Sequence, residues 1–165
     1  MIVSASYRTD IPAFYADWFL ARLRDGTCTV ASPYGGKPYT VSLRPPQADG
    51  FVFWTRNLAA FPRISAELAR MGLGFVVQMT ITGYPKPLEA AGQAPERAVA
   101  QFRGLAKAFG PRVAVWRYDP ILFSALSPPA WHREAFAGLA RSLEGSTDEV
   151  VVSLADDYRK ARRNL

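Results

Sequence analysis

Short apolar runs and longer stretches at helical spacing take turns along this chain. Met1 to Ser6 reads as a short strand. Ile11 to Asp25 reads as a helix: Phe14, Trp18, Leu20 and Leu23 fall near helical spacing, with Asp10 as N-cap and Pro12 in the first turn. Residues 28 to 43, CTVASPYGGKPYTVSL, have the composition of a β-hairpin or a long extended excursion. Phe51 to Thr55 is a continuous apolar run of strand length, and a helix from Leu58 to Met71 follows it and ends at Gly72. Gly74 to Thr82 predicts a third strand, and Ala94 to Phe109 a third helix closed by Gly110 and Pro111. Val113 to Tyr118 predicts a fourth strand. Pro128 to Leu143 predicts a fourth helix, with Ser127 as N-cap and Pro128 at its first position. Val150 to Leu154 predicts a fifth strand, with a last helix starting near Ala155.

Strict alternation of strand and helix means right-handed crossovers and a parallel sheet covered by helices. The architectures that fit are a doubly wound open sheet and a βα barrel. Side-chain parity bears on the choice. In the third strand Val77, Met79 and Ile81 share one face while Gln78, Thr80 and Thr82 share the other. A sheet sandwiched by helices is apolar on both faces, so a polar face on a central strand favours a barrel lumen with a site in it. On the first strand Ser4, Ser6 and Arg8 share parity; on the fourth Arg117 and Asp119 follow Val113 and Val115; on the fifth Ser153 follows Val151. Polar residues thus gather toward strand C-terminal ends, where parallel βα folds build their sites. The expectation is an α/β fold: a partial, open TIM-like βα barrel of about five parallel strands with alternating helices and one β-hairpin excursion. Five strands cannot close an eight-stranded barrel. Residues 1–165 are therefore expected to form one barrel-like domain, cut short at its C-terminal end.

Composition supports a globular reading. The chain has 165 residues, 49% apolar and 21% charged, and a chain of this size buries roughly 70% of its unfolded surface without disulfide or metal. The net charge of +6 is uneven. Arg159, Lys160, Arg162 and Arg163 near the C-terminus supply four of the six charges. A nucleic-acid-associated module that contacts phosphates through this tail is one reading of the chain. Cys28, the only cysteine, cannot close an internal disulfide, which points to a reducing cytoplasm. No signal peptide and no membrane-spanning run is evident, so a membrane role is not expected.

Four junctions carry the candidate chemistry. SYRTDIPAFY places Arg8, Thr9 and Asp10 at the first strand–helix junction. Asp10 or Thr9 caps the helix, or Arg8 holds an anion while Asp10 acts as orienting group or general base; the two readings are compatible at a helix N-terminus. WTRN places Trp54, Thr55, Arg56 and Asn57 at the end of the second strand, with Asn57 a candidate cap for the helix after it. Gln78, Thr80 and Thr82 lie on the third strand. WRYDP supplies Trp116, Arg117, Tyr118 and Asp119, where Arg117 and Asp119 form an ion pair or act on a ligand directly. Arg8, Arg56 and Arg117 with neighbouring hydroxyls imply an anionic ligand, whether phosphate, carboxylate or nucleotide. No glycine-rich phosphate loop is present to decide among them. His132, the only histidine, falls within the fourth helix and is expected at the surface. With one histidine and one cysteine, a zinc or iron–sulfur site made within these residues alone is not expected.

The motifs SYRTDIPAFYADWFLARL, FVFWTRN, QMTITGY, VWRYDPI and DDYRKARRN, in this order and spacing, resemble the domain-of-unknown-function 1848 family of bacterial proteins. The resemblance spans nearly the whole chain. It implies a partial βα-barrel core similar in look to radical S-adenosylmethionine enzymes, with no settled activity. Members of that family usually continue into a cysteine-rich segment that looks like an iron–sulfur ligand set. This sequence stops just after DDYRKARRN, so an iron–sulfur cluster and S-adenosylmethionine are expected only if further cysteines are supplied from elsewhere.

The sequence thus points to the ligand-binding core of a cytoplasmic enzyme acting on an anionic small molecule or nucleotide. Asp10 and Asp119 are its candidate acid/base or orienting carboxylates, and Ser4, Ser6 and Ser153 further ligand contacts. The alternatives are the nucleic-acid module and a non-catalytic barrel fragment that assembles with a partner chain.

Overall fold

A computed structural model describes residues 1–31 and 35–155. The basic tail Arg159, Lys160, Arg162 and Arg163 and the last predicted helix lie outside the described residues. The chain divides into two compact units, Met1–Met79 and Thr80–Leu165.

In the first unit, β1 (Ile2–Ser4), β4 (Gly50–Thr55) and β5 (Gly74–Thr80) run parallel, with Val3 opposite Phe51 and Phe53 opposite Val77. Gly50 sits beside Gly74 in this register, and a Cβ on Gly50 would lie 2.7 Å from the Gly74 carbonyl oxygen. The close approach of these two strands therefore requires a glycine there.

The helix expected over Ile11 to Asp25 is two helices, α1 (Ile11–Phe14) and α2 (Ala16–Asp25). Tyr15 breaks it with φ −130° and ψ 26°, a conformation that no proline or glycine announces. The predicted hairpin forms from β2 (Thr27–Val30) and β3 (Tyr39–Ser42), with Cys28 paired to Val41. Helix α3 (Phe61–Arg70) buries Phe61, Ile64, Ser65 and Leu68, an i, i+3, i+4, i+7 stripe. Its apolar face meets a cluster of edge-to-face phenylalanine rings: Phe53 lies 5.4 Å from Phe19 and 5.3 Å from Phe61 between ring centroids.

In the second unit, β6 (Ala114–Ile121) pairs in parallel with β7 (Val150–Leu154), and α4 (Pro95–Phe109) and α5 (Pro129–Leu143) accompany them. A short 3-10 turn, Pro111–Val113, leads into β6. Ile81, just past β5, donates its N–H to the Arg117 carbonyl. Two residues of β6, Asp119 and Pro120, face one residue of β7, Ser153, between the pairs Tyr118–Val152 and Ile121–Leu154. This bulge shifts the register by one residue, and pairing resumes at Ile121–Leu154. Ser127 is not the N-cap of α5. Pro128 holds that position, and the Ser127 hydroxyl donates to the Leu122 carbonyl at 2.7 Å.

The strands form one five-stranded parallel sheet in the order β1-β4-β5-β6-β7, and the hairpin forms a separate two-stranded sheet. The fold is mixed α/β with alternating helices, and the sheet is open rather than closed into a barrel. No described helix is long and apolar enough to cross a membrane.

Candidate functional site

The strand C-terminal ends of the first unit carry one cluster. Strand β1 stops at Ser4, so Ser6 and Arg8 sit in the following turn and strand parity does not place them. Ser4 is exposed; Ser6 is buried, and its hydroxyl has no hydrogen-bond partner among the described residues. Asp10 is the hinge of the cluster. One of its oxygens accepts the Ala13 N–H at 3.0 Å, capping α1, and the other accepts the Arg56 N–H at 2.8 Å. A single carboxylate thus ties the β1–α1 turn to the β4–α3 turn. Both oxygens are engaged by backbone donors, which suits an orienting group better than a free base.

Arg8 is exposed, and its guanidinium donates to the Ala31 carbonyl at the end of β2. Thr9 is also exposed. Thr55 is buried and shapes the next turn, its hydroxyl accepting the Asn57 N–H and donating to the Asn57 carbonyl, both at 3.0 Å. Asn57 in turn accepts the Ala59 N–H at 3.0 Å, so it forms the turn ahead of α3 rather than its cap. Arg56 is exposed, and Trp54 packs against Tyr7 with ring centroids 5.7 Å apart. Gln78 and Thr80 are half-buried on the predicted polar face of β5, opposite the buried Val77 and Met79.

Because Asp10 joins two turns, its loss affects both. Asp10→Ala is expected to cost about 2 kcal/mol, as a lost cap and a lost charge-assisted hydrogen bond. Asp10→Asn retains one acceptor and is expected to cost about half as much. Urea unfolding of the two variants checks the order.

The second unit carries its own strand-end group. Arg117 and Asp119 form a salt bridge in which the Arg117 Nε lies 3.0 Å from an Asp119 oxygen, with side-chain exposures of 23% and 15%. Ser153 donates to the other oxygen of Asp119. The ion-pair reading of WRYDP is therefore the one realised. Trp116 and Tyr118 turn to the opposite face and are buried. The Trp116 indole N–H donates to the Ile81 carbonyl at 2.9 Å, and its ring stacks on Phe136 at 4.9 Å. This packing accounts for both aromatics without a ligand. Thr82 is buried past the end of β5, its hydroxyl 3.1 Å from a Glu89 carboxylate oxygen.

His132 is buried, against the surface position expected for it. The Leu122 carbonyl 3.0 Å from its Nε2 can only accept, so Nε2 carries the proton and Nδ1 accepts from the Tyr118 hydroxyl at 2.8 Å. The spacing His132, Phe136, Leu139, Leu143 is the core stripe of α5 and is the signal that places this histidine inside. Burial, with Tyr84 nearby, pushes the Tyr118 phenol up to about 12. The folded phenol holds its proton over a pH range in which the unfolded one, near 10, has lost it. Tyr118 therefore lends full stability below pH 10 and loses it as pH rises toward 12. Melting temperature is expected to fall more steeply between pH 10 and 12 in the parent chain than in Tyr118→Phe.

Cys28 is the only cysteine in the sequence, and among the described residues no group of three His, Cys, Asp or Glu side chains could hold a metal ion. These residues do not fit an iron–sulfur cluster.

Polar side chains lie at the strand ends of a parallel sheet in a mixed α/β fold, and the Asp10 carboxylate ties two of the loops there together. The chain matches the family model described as domain of unknown function (DUF1848) over residues 2–165, and it belongs to that family. No curated protein and no solved structure matches it.

Proposed function

We propose that the chain is the ligand-binding core of a cytoplasmic enzyme acting on an anionic small molecule or nucleotide, with its sheet an open portion of a βα barrel. The observation that carries this reading is the Asp10 carboxylate, which receives the N–H groups of Ala13 and Arg56 together. It fixes the two turns that carry Arg8 and Arg56, so two guanidinium-bearing loops are anchored to each other at strand C-terminal ends. Arginine suits planar, bidentate recognition of phosphate or carboxylate. Asp10 and Asp119 act in this reading as positioning carboxylates. Arg117, paired with Asp119, holds the end of β6 in shape.

The test is a fluorescence titration of the full chain with trinitrophenyl-AMP, an anionic ring-bearing nucleotide analogue. Saturable binding is expected, weakened about tenfold in Arg8→Ala and in Arg56→Ala, the equivalent of about 1.4 kcal/mol each. Binding that neither substitution alters would overturn the assignment.

A further inference from the structure

A groove of about 700 Å³ opens in the first unit between β1, α2 and the β2–β3 hairpin. Its volume lies within the roughly 300–1,000 Å³ of ordinary small-molecule sites. The hairpin turns Cys28, Val30, Tyr39 and Val41 toward it, and Tyr7 from the turn after β1, Tyr15 from the break between α1 and α2, and Trp18 from α2 line it as well. Tyr7 is 72% exposed, Tyr39 56% and Trp18 46%. Aromatic rings left in water around a concave apolar surface mark a binding site more often than a solvent face.

The polar lining is one-sided. Arg8 and Arg22 contribute to it, and among the described residues no Asp or Glu does. Arg22 pairs through its terminal nitrogen with Asp25 at 2.8 Å, but its Nε is buried and has no hydrogen-bond partner among the described residues. Arg8 spans from the β1–α1 turn to the Ala31 carbonyl on the opposite wall. Apolar walls, aromatic edges and the Arg8 guanidinium, which meets only a neutral carbonyl, are complementary to a flat apolar body that carries one acidic group.

We infer that this groove receives the ring-sized apolar body of the ligand, so that the substrate class is an aromatic or similarly flat molecule bearing a phosphate, sulfonate or carboxylate. The charge in this inference rests on the anion reading given above, and the body rests on the groove alone. Arg8 stands where the two meet, exchanging the Ala31 carbonyl for the ligand's anionic group.

Cys28 lines the groove and is the only cysteine of the chain, so its thiol reports on occupancy without any substitution. The experiment uses the full chain, the neutral probe N-phenyl-1-naphthylamine and a chromogenic disulfide reagent. One probe is expected per chain, and saturation should slow Cys28 modification about tenfold. Val41→Trp, which fills the groove, should weaken the probe by a similar factor. An unchanged Cys28 rate with the probe bound would overturn the groove assignment. So would a dimer in which Cys28 is protected without probe, since a second copy would then cover this face. If the probe protects Cys28 but its sulfonated relative 8-anilinonaphthalene-1-sulfonate binds no more tightly, the anion reading fails while the groove stands as an apolar pocket.

Discussion

Phe53→Ala is expected to destabilise the chain by about 4 kcal/mol. Phe53 has no exposed surface, and it meets Phe19, Phe51 and Phe61. Truncating it removes the ring's transfer energy and leaves a void walled by three rigid rings that sit on different elements, so the site cannot collapse around the loss. At this chain length the melting temperature should drop by roughly 10 °C. Phe53→Leu keeps most of the volume and should lose less than half as much. Equal losses for the two variants would mean that the phenylalanine cluster is not the core of the first unit.

Arg117→Ala follows at about 3 kcal/mol, because it leaves the Asp119 carboxylate in a mostly buried place without its guanidinium. The Ser153 hydroxyl stays as a donor to Asp119 but brings no charge. The double variant Arg117→Met with Asp119→Asn removes both charges and should regain a large part of the loss. Calorimetry of the three chains checks the order. If the single variant melts with the parent chain, the pair is a solvated contact and Arg117 is available to a ligand instead.

Several elements were readable in the sequence for physical reasons that the structure shares. The β5 parity, with Val77 and Met79 inward, follows from the two-residue period alone, and the α3 stripe follows from the helical one. The hairpin is announced by its Gly and Pro cluster between β-branched runs. Other features depend on contacts that no local pattern encodes. The break at Tyr15 splits one expected helix into two without a glycine or proline. His132 looked like a polar residue on a helix surface because its Tyr118 partner comes from a different element. The division of the strand-end residues into ion pair, turn former and exposed cation emerges only when the hydrogen bonds are traced. Asp10 shows this best, since its partner Arg56 lies 46 residues away. The aromatic groove was not anticipated at all. Its walls are Val30 and Val41 from a hairpin, Trp18 from a helix and Tyr7 from a turn, and only the tertiary fold makes them one surface.

If arginines fixed at strand ends select an anion, charge on the ligand should decide affinity. The most direct measurement compares the affinities of 8-anilinonaphthalene-1-sulfonate and N-phenyl-1-naphthylamine for the parent chain and for Arg8→Ala/Arg56→Ala. A preference of at least about tenfold for the sulfonate is expected in the parent, lost in the double variant while the neutral probe binds unchanged. A preference that survives in the double variant, or no preference in the parent, would contradict that selection.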